Sequence, residues 1–151
     1  MTDGKFSVQE MPALQIYTQE VFIDTRGFRD AFHQLYETVK SKGYRVVGPP
    51  LAIYLEDKYQ LDVFHLDLAL PVAGEPAGSR MLAGGPAAVA LHVGPYEGLA
   101  QTYAELATYM KEQNLTAEGL RYNIYMQGAK QNPDGSEWIT KVVCPIASPD
   151  R

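Results

Sequence analysis

The chain has 151 residues, of which 46% are hydrophobic and 21% charged. It suits one compact domain or two small fused units and is too apolar for wholesale disorder. Thirteen basic against eighteen acidic residues leave a net charge of −5, which argues against the basic face of a direct nucleic-acid binder.

A single cysteine, Cys144, excludes an intrachain disulfide and a cysteine-built metal site. No apolar run approaches the roughly 18 residues of a membrane span. The N-terminal Met1-Thr2-Asp3-Gly4-Lys5 has no apolar signal region behind it, so a cytoplasmic location is expected. Ten tyrosines supply large rings with polar tips, the chemistry of binding surfaces.

Residues 1–12 read as a lead-in strand or a loose arm. Leu14 to Ile23 reads as a strand, and Asp24-Thr25-Arg26-Gly27 supplies cap-type residues. Phe28, Ala31, Phe32, Leu35, Tyr36 and Val39 then recur at spacings of three and four, one apolar face of a helix that Gly43 ends. Leu51 to Leu55 reads as a strand. From Phe64 the pattern alternates, with Phe64, Leu66, Leu68 and Leu70 on one face and His65 and Asp67 on the other, closed by Pro71. Residues 74–80 form a linker.

The second half repeats this order. Ala87 to Val93 is a strand and Gly94-Pro95 a turn. Leu99, Tyr103, Leu106, Ala107 and Met110 form a helical face that Asn114 ends. Leu120 to Met126 is a strand, Asn132-Pro133-Asp134-Gly135 a hairpin turn, and Trp138 to Val143 the last strand before Pro145. An offset of 71 carries Leu35 to Leu106, Val39 to Met110, Gly43 to Asn114 and Tyr54 to Tyr125. An offset of 74 carries Phe64 to Trp138, Leu68 to Val142 and Pro71 to Pro145.

The expected fold is therefore α+β: one domain over 1–151, with a first repeat at about 13–73, a linker at 74–80 and a second repeat at about 82–147. Each repeat is a strand–helix–strand–strand unit forming a three-stranded antiparallel sheet with its helix on one face. A pseudo-twofold axis would relate the two, with a ligand cleft between them. If Tyr122 and Ile124 face the helix, Arg121, Asn123 and Tyr125 face the cleft, and Ala52 and Tyr54 are their equivalents. Phe64 and Trp138 would line it at symmetric positions, with Leu66 and Thr140 beside them. From strand parity alone, Tyr54, Tyr125 and Trp138 fit a pocket or a core equally well.

Three stretches carry a resemblance to the GyrI-like small-molecule-binding family: Gly94-Pro95-Tyr96 before a helix, Tyr122-Asn123-Ile124-Tyr125, and Glu137-Trp138-Ile139-Thr140 leading to Pro145-Ile146. That family includes effector domains of multidrug-sensing transcription regulators, gyrase-inhibitor-type proteins and stand-alone members. The resemblance covers nearly the whole chain. It implies an eight-stranded, two-helix fold whose aromatic cleft takes bulky aromatic or apolar compounds, cationic ones included. The expected ligand-binding residues are Tyr54, Phe64, Tyr96, Asn123, Tyr125 and Trp138.

Cation-binding members resembling this chain usually carry a glutamate directly after the tyrosine matching Tyr122, where this chain has Asn123. The acid usual in their last strand is replaced here by Lys141. Both departures remove negative charge, and an amide offers a cation only dipoles. Neutral or zwitterionic rings are favoured accordingly.

The expected role is a sensor or scavenger acting alone. The chain has no helix-turn-helix segment to spare, so it is not a complete regulator, and a protein partner or a second copy remains open. The alternative is a hydrolase of reactive small-molecule toxins, with Glu97, Glu56 or Tyr96 as its participants. A gyrase-inhibitor-like protein-binding module is a third reading. Glu56 and Glu97 sit beside turns, where solvated carboxylates are common. No cofactor and no metal is expected, since His33, His65 and His92 show no ligand spacing and there is no phosphate loop or nucleophile elbow.

Overall fold

The computed structural model describes residues 5–24, 27–55, 64–94, 98–127 and 139–147. The elements are β1 (Phe6–Met11), β2 (Leu14–Ile23), α1 (Phe28–Ser41), β3 (Leu51–Tyr54), β4 (Phe64–Pro71), β5 (Ser79–Leu82), β6 (Gly85–Val93), α2 (Leu99–Glu112), β7 (Tyr122–Gln127) and β8 (Ile139–Pro145). They form two compact units, Ala13–Ala83 and Gly84–Arg151 with Met1–Pro12. The expected turns at Glu56-Asp57-Lys58 and Asn132–Gly135 lie outside the described residues, as do Tyr96, Glu97 and Trp138.

In the first unit β4 lies between β3 and β2, and β5 closes the other side of β2, all antiparallel. The alternation in β4 is realised as expected. Phe64, on the Leu66 side, lies 6.2 Å from the ring of Phe28 on α1. His65 stacks on Phe22 at 4.1 Å and approaches Glu20 on the other side, where Arg80 also donates to Asp67 at 3.0 Å. Leu35 and Val39 are the buried residues of α1.

The second unit has the same order: β8 between β7 and β6, with β1 on the far side of β6. Its helix-facing core joins Leu99, Leu106 and Met110 of α2 to Phe6, Ala88, Ala90, Val142 and Ile146. Burial at α2 follows Leu99, Thr102, Leu106 and Met110, so Thr102 takes the place expected for the exposed Ala107. Lys5 bridges to Glu105 of α2 at 2.6 Å, and its hydrogen bond holds the Glu105 carboxyl below the usual carboxylate range.

The two offsets recur in the backbone. Val46 bridges Val72 and Ala117 bridges Ile146; Val47 N–H donates to Pro71 and Glu118 N–H to Pro145. Ile16 faces Pro71, and Ala87 faces Pro145. Tyr54 faces Leu66, and Tyr125 faces Thr140. The two units thus share strand register at these positions.

Two expectations are corrected. Each unit has four strands, because residues 79–82, which begin within the expected linker, pair with β2, and residues 6–11 form the lead-in strand of the two expected alternatives and pair with β6. The offset of 71 carries Met11 to Leu82, so β1 and β5 are themselves equivalent: Met11 faces Gly85 as Leu82 faces Leu14. Each repeat begins with a strand that closes the unit built from the other repeat.

Both helices end in the left-handed conformation, at Gly43 (φ 77°) and Asn114 (φ 56°). There the next amide, of Tyr44 or Leu115, reaches back to Val39 or Met110. Asn114→Ala is expected to cost about 1 kcal/mol because alanine lacks the short polar side chain with which asparagine supports that conformation, whereas Asn114→Gly leaves stability level or improved. Urea unfolding of the two variants measures the difference.

Candidate functional site

Asn123 is fully buried in the middle of β7. Its Nδ2 donates to the Tyr103 hydroxyl of α2 at 2.6 Å, which places the amide on the helix side of the sheet. Val142, its cross-strand neighbour, packs in the same core cluster as Leu106 of α2. This reverses the expected parity. Arg121, Asn123 and Tyr125 share the face covered by α2, while Tyr122 and Ile124 point the other way. Tyr122 is itself buried, and desolvation raises its phenol pKa.

Around Asn123 the polar groups form one continuous patch. The Arg121 guanidinium carbon lies 4.2 Å from the centroid of the Tyr103 ring, a cation–π contact on the tyrosine that holds the amide. Two residues along the strand, Tyr125 faces Thr140 of β8, and Thr140 faces His92 of β6. Cross-strand partners point to the same side, so His92, Thr140 and Tyr125 form a row under the first turns of α2. Above this row the His92 Nδ1 lies 2.8 Å from the Thr102 hydroxyl. A Cβ on Gly98 would fall 2.8 Å from His92 Cε1, so the imidazole sits where only glycine leaves room.

Thr140 is completely buried, and among the described residues its hydroxyl has no hydrogen-bond partner. Burying a hydroxyl that way costs about 1–3 kcal/mol. Histidine, threonine and asparagine in a helix–sheet interior need a reason, and the first unit shows that packing is not it. At the equivalent positions it has Val21 for His92, Ala31 for Thr102, Phe32 for Tyr103, Ala52 for Asn123 and Leu66 for Thr140. The same backbone closes there with apolar groups.

The aromatic residues expected at the site fall into separate groups. In the first unit Tyr54 and Phe64 meet edge to face at 6.1 Å, and Phe28 and Phe32 of α1 extend the ring cluster. In the second unit Asn123 and Tyr125 share a strand face. Tyr96, Trp138, Glu56 and Glu97 lie outside the described residues. Tyr103, His92 and Thr102 were not expected as site residues, whereas Thr140 was expected beside the cleft. The available signal was Thr102, a polar residue at a stripe position of a helix whose other buried residues are Leu99, Leu106 and Met110.

Tyr103→Phe removes the acceptor of the buried amide, and its expected cost is about 1–2 kcal/mol, read by urea unfolding. An unchanged midpoint would mean that the Asn123–Tyr103 bond adds nothing to the folded state.

Several known proteins share this fold. The chain superposes on the EcmrR C-terminal domain with a TM-score of 0.85 at 16% identity, covering 95% of this chain and 97% of that one. Against EcmrR in its DNA complex the TM-score is 0.86 at 16% identity; 95% of this chain is covered, and it spans 57% of the EcmrR chain. A hydrolase encoded by lin2189 from Listeria innocua matches at 0.68 with 16% identity, covering 95% and 92% of the two chains. SAV2435, solved bound to tetraphenylphosphonium, matches at 0.60 with 14% identity, covering 95% and 94%. None of the curated proteins matches in sequence. At these identities the likeness is one of fold, but the GyrI-like small molecule binding domain also matches residues 5–147. With nearly the whole length so matched, the chain belongs to the GyrI-like small-molecule-binding family.

Proposed function

We propose that the chain binds a flat, largely apolar ring compound that is uncharged or zwitterionic, on the helix-covered face of the second unit, in a sensor or scavenger role. The observation that carries this reading is Asn123: a fully buried neutral amide, held by Tyr103, at the strand position where the cation-binding pattern has glutamate. An amide gives a ligand a directional donor and acceptor without the countercharge that offsets the desolvation of a buried cation. Arg121 beside it adds a positive charge to the same patch.

Tyr125 is the proposed stacking residue beside Asn123. Tyr96 and Trp138 are the other proposed stacking residues of this site. Ring burial at about 25 cal/mol per Å² supports micromolar affinity from some 300 Å² of contact. A ligand reaching Asn123 competes with the Tyr103 hydroxyl, so the affinity reads the balance of those two bonds. The hydrolase reading needs an activating group on the same face, where the described candidates are the Tyr103 phenol and the His92 imidazole, the latter held by Thr102.

The test titrates wild type and Asn123→Glu with neutral naphthalene derivatives and with tetraphenylphosphonium by calorimetry. The expected result is micromolar binding of the neutral rings to wild type. Tetraphenylphosphonium is expected to bind at least tenfold more tightly to Asn123→Glu than to wild type. Equal affinity of wild type for the cation and the neutral rings would refute the charge argument. Absence of binding by every ring would refute the small-molecule reading of this face.

A further inference from the structure

Resting on that reading, we propose that Thr140, oriented with His92 and Thr102, is a second hydrogen-bonding anchor of the site, and that it selects ring compounds bearing a carbonyl-type oxygen. Three observations converge on it. The Thr140 hydroxyl is completely buried, and among the described residues it has no partner. It faces the side from which Asn123 reaches α2, because its cross-strand partner Tyr125 is two residues from Asn123 in the same strand. Its neighbour in the ladder, His92, is fixed from above by Thr102 and from the side by the close approach of Gly98, so the floor around the hydroxyl is rigid.

The first unit supplies the control. Leu66 fills the position equivalent to Thr140, with Val21 and Ala31 in place of His92 and Thr102, and that unit packs without any hydroxyl there. The second unit therefore keeps a destabilising hydroxyl that the fold does not need. A hydroxyl donates one hydrogen bond, and the atom that completes it is an acceptor on the bound molecule. Asn123 and Thr140 are about 7 Å apart along the sheet, two residues of strand rise. A flat ring with one polar edge at the amide and an oxygen at the threonine spans that distance. The described side chains of this face, among them Arg121, Asn123, Thr102 and Thr140, include donors and no carboxylate. The oxygen is thus that of a ketone, an amide or a carboxylate.

The experiment compares 2-methylnaphthalene, 2-acetylnaphthalene and 2-naphthoate on wild type, Thr140→Val and Thr140→Ser by calorimetry, with thermal unfolding of each protein. Wild type is expected to bind the two oxygenated rings at least tenfold more tightly than the methyl compound. Thr140→Val is expected to lose that preference while holding the methyl compound as before, and its Tm rises by a few degrees because no hydroxyl is left buried. Thr140→Ser retains the preference. The carboxylate end of a zwitterion is indicated if 2-naphthoate leads, a neutral carbonyl if 2-acetylnaphthalene does; either supports the anchor. An undiminished preference in Thr140→Val overturns the proposal and leaves the binding reading standing. Failure of all three compounds to bind wild type overturns both. If Thr140→Val does not fold, loss of the preference in Thr140→Ser overturns the proposal and its retention supports it.

Discussion

The bond between the Asn123 amide and the Tyr103 hydroxyl ties the chemistry of the second unit to its architecture. It spans the interface of α2 with the sheet, fixes which face of β7 looks at the helix, and places the tyrosine ring where Arg121 can lie against it. In a core of alanines, valines and leucines such a bond is worth more as an orienting constraint than as stabilisation, since net hydrogen-bond energies are about 1 kcal/mol. A carboxylate there would carry a charge that the surroundings must answer. The amide carries none, so the helix closes over a patch without a countercharge for a cation.

The two units act as an internal comparison. They share helix lengths, end conformations, register and bridging hydrogen bonds. They differ where the sheet meets the helix: aromatic and aliphatic in the first unit, polar in the second. A backbone that closes with Val21, Ala31, Ala52 and Leu66 does not require His92, Thr102, Asn123 and Thr140 for packing. One strand and helix order has two interiors here, and only the second is polar where sheet meets helix.

Much of the architecture was legible in the sequence. The helices were visible as three-four spacing, and β4 as strict alternation. The repeat was visible in its constant offsets, because helix stops and closing prolines occupy positions where few residues fit. The orientation of β7 was not legible. Tyr122 and Ile124 are buried on one face and Asn123 on the other, and a strand covered on both sides carries no polarity signal to fix its parity. The equivalence of β1 and β5 was hidden for another reason. Met11 and Leu82 correspond, but Gln9 corresponds to Arg80 and Val8 to Ser79; edge strands bury too little to constrain their residues. The polar corner of His92, Thr102 and Thr140 comes from three separate elements, and nothing in their linear spacing brings them together.

The pairing of Met11 with Gly85 and of Leu14 with Leu82 has a genetic consequence. Everything between residues 12 and 84 leaves one ladder and returns to the rung it left, so the first unit is an insertion whose two ends meet at neighbouring backbone positions, about 5 Å apart. Excising it as a block would join Met11 to Gly85 by a tight turn, and β1 and β6 would become a hairpin of one uninterrupted chain. The second unit can be interrupted because the break falls at a hairpin and not within its core. Recombination at those two points can exchange one half of such a domain while leaving the hydrogen-bonding interior of the other intact.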